Sequence, residues 1–108
     1  MRYLSLKKKK DFKKTLTDGK RAHSASLTVV YIPSERTKMA VCVGKKYGKS
    51  VKRNRIKRLL REAFRSNVER ITGSYTFLLV PKVAEEYSFA AFRRDFGSIL
   101  RREKLADV

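Results

Sequence analysis

Apolar stretches of different period alternate along the chain, and each predicts its own element. Phe12 and Leu16 stand at i and i+4 between Asp11 and Asp18. That spacing predicts a short helix, with Gly19 as a left-handed C-terminal cap. Leu27-Thr28-Val29-Val30-Tyr31-Ile32 is β-branched and aromatic and ends at Pro33, which predicts a strand. Pro33-Ser34-Glu35-Arg36-Thr37 is turn chemistry, and Met39-Ala40-Val41-Cys42-Val43 predicts a second strand ending at Gly44. The two strands are expected to form a hairpin. A further short strand is expected before them, around 21–26.

Ser50 is a suitable N-cap for a helix running to about Val68. With Ile56 set at 0° and each residue stepped by 100°, Leu59, Leu60, Ala63 and Phe64 fall between about 300° and 80°. Asn54, Lys57, Arg58, Arg61 and Arg65 fall between about 100° and 200°, and Arg55 near about 260°. One face is core and the other is a cationic stripe. Thr72-Gly73-Ser74 ends this helix, and Tyr75-Thr76-Phe77-Leu78-Leu79-Val80 predicts a strand stopped by Pro81. Ser88 caps a last helix whose buried stripe is Phe89, Phe92, Phe96, Ile99 and Leu100, with Gly97 as a weak point. The order αβββαβα predicts an α+β fold: a small α–β sandwich whose central sheet, of about four strands, has helices covering one face. At 108 residues the chain has room for one domain, residues 1–108, with 1–8 as a flexible basic tail.

Charge changes this picture from a scaffold to a binding protein. Lys and Arg number 28 against 10 Asp and Glu, a net charge of +18. The excess is concentrated. Residues 1–21 hold nine Lys/Arg against Asp11 and Asp18, and residues 45–65 hold ten against Glu62 alone. Residues 22–44 and 66–108 are close to neutral. Such a chain repels itself and calls for a polyanion or an anionic membrane surface nearby. No apolar run is long enough to cross a bilayer, and Met1-Arg2-Tyr3-Leu4-Ser5-Leu6 followed by lysines lacks a signal-peptide core. A cytoplasmic location is expected, with no membrane partner. Cys42 as the single cysteine excludes an internal disulfide, and with His23 as the single histidine no Cys/His zinc set exists. Cys42 reads as buried and inert, His23 as structural or surface, and Glu85-Glu86 as solvated loop acids. No acid–base pair, triad or metal cage is present, so neither catalytic nor metal-binding residues are assigned and a protein nuclease acting alone is disfavoured.

The informative segment is Lys45-Lys46-Tyr47-Gly48-Lys49-Ser50-Val51-Lys52-Arg53-Asn54-Arg55-Ile56-Lys57-Arg58-Leu59-Leu60-Arg61-Glu62-Ala63-Phe64. It is a basic loop leading into a helix with a packed side and a charged side. Lysine offers a point charge, and arginine a planar fork that grips phosphate with two donors. Asn54 adds a partner for a 2′-hydroxyl or base edge, and a helix N-terminus adds free N–H groups for phosphate. Only Glu62 screens these cations, and like charges at i, i+3 and i+4 are destabilising. The polyanion reading therefore outweighs a merely solvated face. A helix-turn-helix DNA reader fits poorly, because the charged helix is followed by a strand and has no closely packed helix before it.

Val51 to Phe64 resembles the RNR motif of the protein subunits of bacterial ribonuclease P, and Val43-Gly44-Lys45-Lys46-Tyr47-Gly48 resembles that family's lead-in. Asp11-Phe12 with the downstream Gly19, Val30-Tyr31, the RNR helix and the strand at 75–80 follow in the family's order, so the resemblance covers most of the chain. It implies an accessory subunit of an endoribonuclease. The catalytic RNA frees the mature 5′ end of tRNA with Mg²⁺ held mainly by the RNA, and the protein alone is inactive. It implies as partners that catalytic RNA and precursor tRNA, with the protein as a monomer in the ribonucleoprotein, no DNA, and no cofactor bound by the protein itself. It also implies a left-handed crossover around the RNR helix, against the usual hand. Lys45, Lys46, Lys49, Lys52, Arg53, Asn54, Arg55, Lys57, Arg58, Arg61 and Arg65 would face the catalytic RNA. Phe12, Leu16 and Tyr31 would line a cleft for the 5′ leader, Leu16 replacing a frequent aromatic. Aromatic faces beside a basic groove suit single strands, and Lys7 to Lys10 would extend electrostatic reach. The alternative is a ribosomal-type or other structural RNA-binding protein.

Overall fold

The computed structural model describes residues 3–106. Its elements are β1 (Leu4–Ser5), α1 (Lys9–Asp18), β2 (Lys20–His23), β3 (Leu27–Pro33), β4 (Lys38–Val41), α2 (Ser50–Asn67), β5 (Tyr75–Pro81) and α3 (Phe89–Arg102). The strands form one mixed sheet in the order β1-β4-β5-β3-β2. The α+β sandwich is as expected. Against about four strands expected, the sheet has five, because Leu4–Ser5 pairs in parallel with β4, Leu4 opposite Lys38 and Ser5 opposite Met39. Part of the expected basic tail is therefore sheet, and Tyr3 beside it packs edge-on against Phe64 at 4.8 Å. Met1 and Arg2, the start of that tail, lie outside the described residues.

The expected hairpin between β3 and β4 does not form. β5 lies between them, antiparallel to β3 with Tyr31 opposite Phe77, and parallel to β4 with Met39 opposite Phe77. The reason lies in β5 itself. Phe77, Leu78 and Leu79 are consecutive and all fully buried, so this strand needs cover on both faces and a central place. The turn after Pro33 therefore steps across one strand, tied down by the Ser34 N–H donating to the Ser74 carbonyl at 3.1 Å.

The helices also divide differently from the expectation. α2 and α3 pack together over one face of the sheet, and α1 packs on β3 and β5. Leu27, Val29, Tyr31, Phe77 and Leu79 belong to the core shared with Ile56, Leu60, Phe64, Phe96 and Ile99. Val30 and Leu78 are equally buried but stand outside that cluster, since alternate side chains point to opposite faces. They lie on the face that α1 covers.

Gly19 is not the left-handed cap the sequence suggested; it is extended, at φ −71° and ψ 152°. It is needed for closeness. A Cβ there would meet the Thr15 carbonyl oxygen at 2.4 Å and Val30 Cγ1 at 2.9 Å. Thr15, not Phe12 or Leu16, is the buried residue of α1, its hydroxyl donating to the Asp11 carbonyl at 2.9 Å. Ser50 likewise is the first residue of α2, not its cap. Lys49 takes the cap position with no side-chain bond. Ser88 does cap α3, accepting from the Ala91 N–H at 3.1 Å.

The end of α3 is fixed by a polar knot. Tyr31 Oη donates to Glu103 at 2.5 Å, and Lys20 Nζ lies 2.9 Å from the same carboxylate oxygen. The hydroxyl of Tyr31, then Lys20, hold the Glu103 carboxyl below its usual range. Burial pushes Asp95 upward, but hydrogen bonds from Ser26 and Arg94 outweigh it and the net shift is down. Both carboxyls thus bind protons more weakly folded than unfolded. Their stabilisation is present above about pH 4.3 and lost as the pH falls through the folded values. The urea midpoint is expected to drop between pH 6 and pH 3, and Glu103→Gln is expected to flatten that drop.

Candidate nucleic-acid interface

The long helix α2 presents its two faces as the 3.6-residue period requires. Ile56, Leu59, Leu60, Ala63 and Phe64 are buried. Asn54, Arg58, Arg61 and Arg65 are exposed on the opposite side, with Lys57 half-buried among them and Lys52 and Arg55 exposed on the flank. Among the described residues the ion pairs join Lys20 to Glu103, Lys38 to Asp11 and Arg94 to Asp95. None of them engages a cation of α2. The face is a rigid row of positive charge, held by a core and free toward solvent.

Arg53 stands apart from that row. It falls at about 60° on the helical wheel, on the core side. It is half-buried, and its Nε is buried with no hydrogen-bond partner. The family resemblance, not the helical wheel, placed it among the RNA-facing residues, and its angle sets it apart from the stripe.

The basic lead-in is anchored by an aromatic. Lys45–Tyr47 forms a single 3₁₀ turn. Tyr47 is buried, and its hydroxyl donates to the Pro81 carbonyl at 2.6 Å. This pins the loop to the end of β5. Gly48 follows at φ +117°, a conformation that disfavours any side chain. Lys45, Lys46 and Lys49 are left exposed around the start of α2. Lys46 Nζ lies 5.4 Å from the centre of the Tyr47 ring.

Tyr87 is a residue the sequence reading missed. Lys52 Nζ lies 5.8 Å from the centre of its ring. Together with Arg55, Ile56 and Leu59, and with Glu85 and Glu86 opposite, they line a groove of about 250 Å³. The two acids are exposed, as expected, but they border the cationic helix. The only sequence signal for Tyr87 was an aromatic next to two acids in the loop before α3.

The three expected cleft residues are not brought together. Phe12 and Leu16 are half-buried along one flank of α1, a turn apart. Tyr31 lies on the other side of the sheet, 7% exposed, against Tyr75 at 6.0 Å and Phe77 at 6.4 Å. Burial first, and its bond to Glu103 second, push its hydroxyl pKa upward. Tyr31 is a core residue, and its neighbour Val30 faces α1. One step along a strand reverses the face. What α1 and the sheet do form is a cavity of about 170 Å³, lined by Asp11, Lys14 and Thr15 with Ile32, Lys38 and Thr76.

Two minor expectations also find their places. Cys42 is half-buried, not buried as expected, and lies just beyond β4 and not within it; what burial it has pushes its thiol pKa up. His23 is exposed, with Nδ1 2.9 Å from the Thr28 hydroxyl. Among the described residues no group of His, Cys, Asp or Glu is arranged to hold a metal ion, and no helix is long and apolar enough to cross a membrane.

Comparison with known proteins converges on one family. The family model for ribonuclease P matches residues 1–104. The chain is 31% identical over 103 residues to the ribonuclease P protein component of Geotalea uraniireducens, covering 94% of this chain and 91% of the relative. It is 31% identical over 106 residues to that of Clostridioides difficile, covering 94% and 92%. Its structure is similar to the ribonuclease P protein of Thermotoga maritima, with a TM-score of 0.80 and 25% identity over 91% of this chain and 96% of the other. On this ground the chain belongs to the ribonuclease P protein family, the protein components of a tRNA-processing endoribonuclease.

Proposed function

We propose that this protein binds the catalytic RNA of ribonuclease P through α2 and its basic lead-in, and supports removal of the 5′ leader from precursor tRNA. The observation that carries this reading is the cationic row of α2, which faces away from the core and takes part in none of the three ion pairs named above. Lys45, Lys46, Lys49, Lys52, Asn54, Arg55, Lys57, Arg58, Arg61 and Arg65 supply phosphate and edge contacts. Arg53 contributes from a half-buried position at the rim. The leader passes over the α1 side of the sheet, along the half-buried Phe12 and Leu16 of α1 and the cavity bordered by Lys14 and Lys38. Tyr31 has no part in that path.

The hydrolysis belongs to the RNA, which holds the Mg²⁺. The protein's residues neutralise, position and exclude; none is given a proton-transfer role. The protein acts as a cytoplasmic monomer within the ribonucleoprotein.

The test is reconstitution with the ribonuclease P RNA of the same source at near-physiological Mg²⁺, using precursor tRNA that carries a leader. Strong stimulation over RNA alone, with no cleavage by protein alone, is expected. A folded protein that fails to stimulate would shift the reading to a ribosomal-type RNA binder. Cleavage by the protein alone would overturn the division of labour.

A further inference from the structure

Residues 66–108 carry almost no net charge, yet the fold gathers four of their arginines. Arg70, in the turn after α2, and Arg93, Arg94 and Arg101 of α3 line one cavity of about 260 Å³ between the two helices. No carboxylate of the described residues lines it. Its floor is made by a close helix contact. Asn67 is 2% exposed, and its Nδ2 donates to the carbonyls of Ala63 at 3.1 Å and Arg93 at 3.2 Å. Gly97 sits opposite, where a Cβ would meet Asn67 Oδ1 at 3.2 Å and Arg101 Nη1 at 3.8 Å. The guanidinium of Arg101 therefore reaches back over the glycine. Arg94 is steered by Asp95, with Nε 3.2 Å from Oδ1, and that bond does not use its terminal nitrogens.

Guanidinium groups collected around one concavity repel one another unless an anion sits among them. Their planar forks match a phosphate group. Phe89, half-buried, also lines the cavity and offers apolar ring surface beside the charge, which suits a nucleotide better than a bare anion. The cavity is not an extension of the cationic row. Asn67 lies at about 20° on the α2 wheel, whereas the row lies between about 100° and 200°. We propose that the Arg70–Arg93–Arg94–Arg101 cavity is a second phosphate site. It takes a phosphodiester from an RNA segment other than the one along α2, so that the protein spans two segments. This rests on the RNA-binding reading above and adds a separate contact to it.

The test is the salt dependence of binding to the ribonuclease P RNA. For Arg93→Gln/Arg101→Gln, the slope of log affinity against log salt between 50 and 200 mM is expected to fall by about 1.4 to 1.8, with roughly tenfold weaker binding at about 100 mM salt. A circular dichroism melt shows whether the variant is folded. Wild-type slope and affinity in the folded variant would overturn this site and leave the α2 reading intact. Absence of RNA binding by the unmodified protein would overturn both. Arginine Nε–H resonances of the unmodified protein give a second readout that needs no variant. Shifts at Arg93 and Arg101 are expected with a short single-stranded RNA at lower concentration than with inorganic phosphate. Shifts at equal concentrations of the two would assign the cavity to free phosphate, and no shift with either would empty it of a role; both results overturn the proposal.

Discussion

Reversing the charge of Arg55, Arg58 and Arg61 together is expected to weaken binding to the ribonuclease P RNA by at least about a hundredfold at moderate salt. Each lost phosphate contact removes about 0.7 to 0.9 from the salt slope, and reversal adds repulsion to the loss. All three side chains are exposed and none is in an ion pair among the described residues. The fold should not suffer. Surface changes of this kind sit within about 0.5 kcal/mol. Arg58 and Arg61 are three apart and Arg61 and Arg65 four apart, so breaking that row of like charges relieves local repulsion. The expected result is lost binding with an unchanged or slightly raised thermal midpoint. Binding retained within a few-fold would place the RNA elsewhere on the surface. Arg53 is left out of the triple change, because charge reversal at a half-buried side chain confuses binding with folding.

Phe64→Ala tests the opposite face of the same helix. Phe64 is fully buried and meets three rings, those of Tyr3 at 4.8 Å, Phe96 at 5.4 Å and Phe77 at 5.6 Å. Its truncation removes buried area and leaves a cavity among aromatic neighbours, at a cost of about 3 to 5 kcal/mol. That is a large part of a domain's usual 5 to 15 kcal/mol. With a urea slope of about 1 to 3 kcal/mol/M, the midpoint should fall by about 2 M. The variant should still bind RNA at saturation, since ligand binding draws the chain into its folded form. A midpoint shift under about 0.5 M would mean that the aromatic cluster is looser than its packing indicates.

Both faces of α2 were legible because one period governs eighteen residues, and the buried and charged positions fall where that period puts them. The sheet order was not legible. Pairing of β4 with β5 is long-range, and the short turn between β3 and β4 looks like a hairpin from the sequence alone. The face of Tyr31 was hidden for another reason. Leu27 to Tyr31 belongs to a strand covered on both sides, so its apolar run carries no alternation to read. Buried polar residues such as Thr15, Asn67 and Asp95 left no periodic signal either, because each is held by its own hydrogen-bond partners and not by a repeating pattern. The arginines of the near-neutral C-terminal third had no pattern until α3 folded against α2.

The central place of β5 also shapes how the molecule comes together. β3 and β4 are neighbours in sequence but hold a gap one strand wide, and only a segment more than thirty residues downstream of β4 fills it. No early hairpin bridges that gap. Closing it is a non-local step of the kind that slows folding. Until β5 enters, the strands beneath the apolar side of α2 are not joined into one sheet, and its crowded cations oppose a stable helix. The cationic surface therefore matures with the whole domain and not ahead of it. A chain shortened before Tyr75 would keep every α2 cation and still present no surface for RNA to recognise.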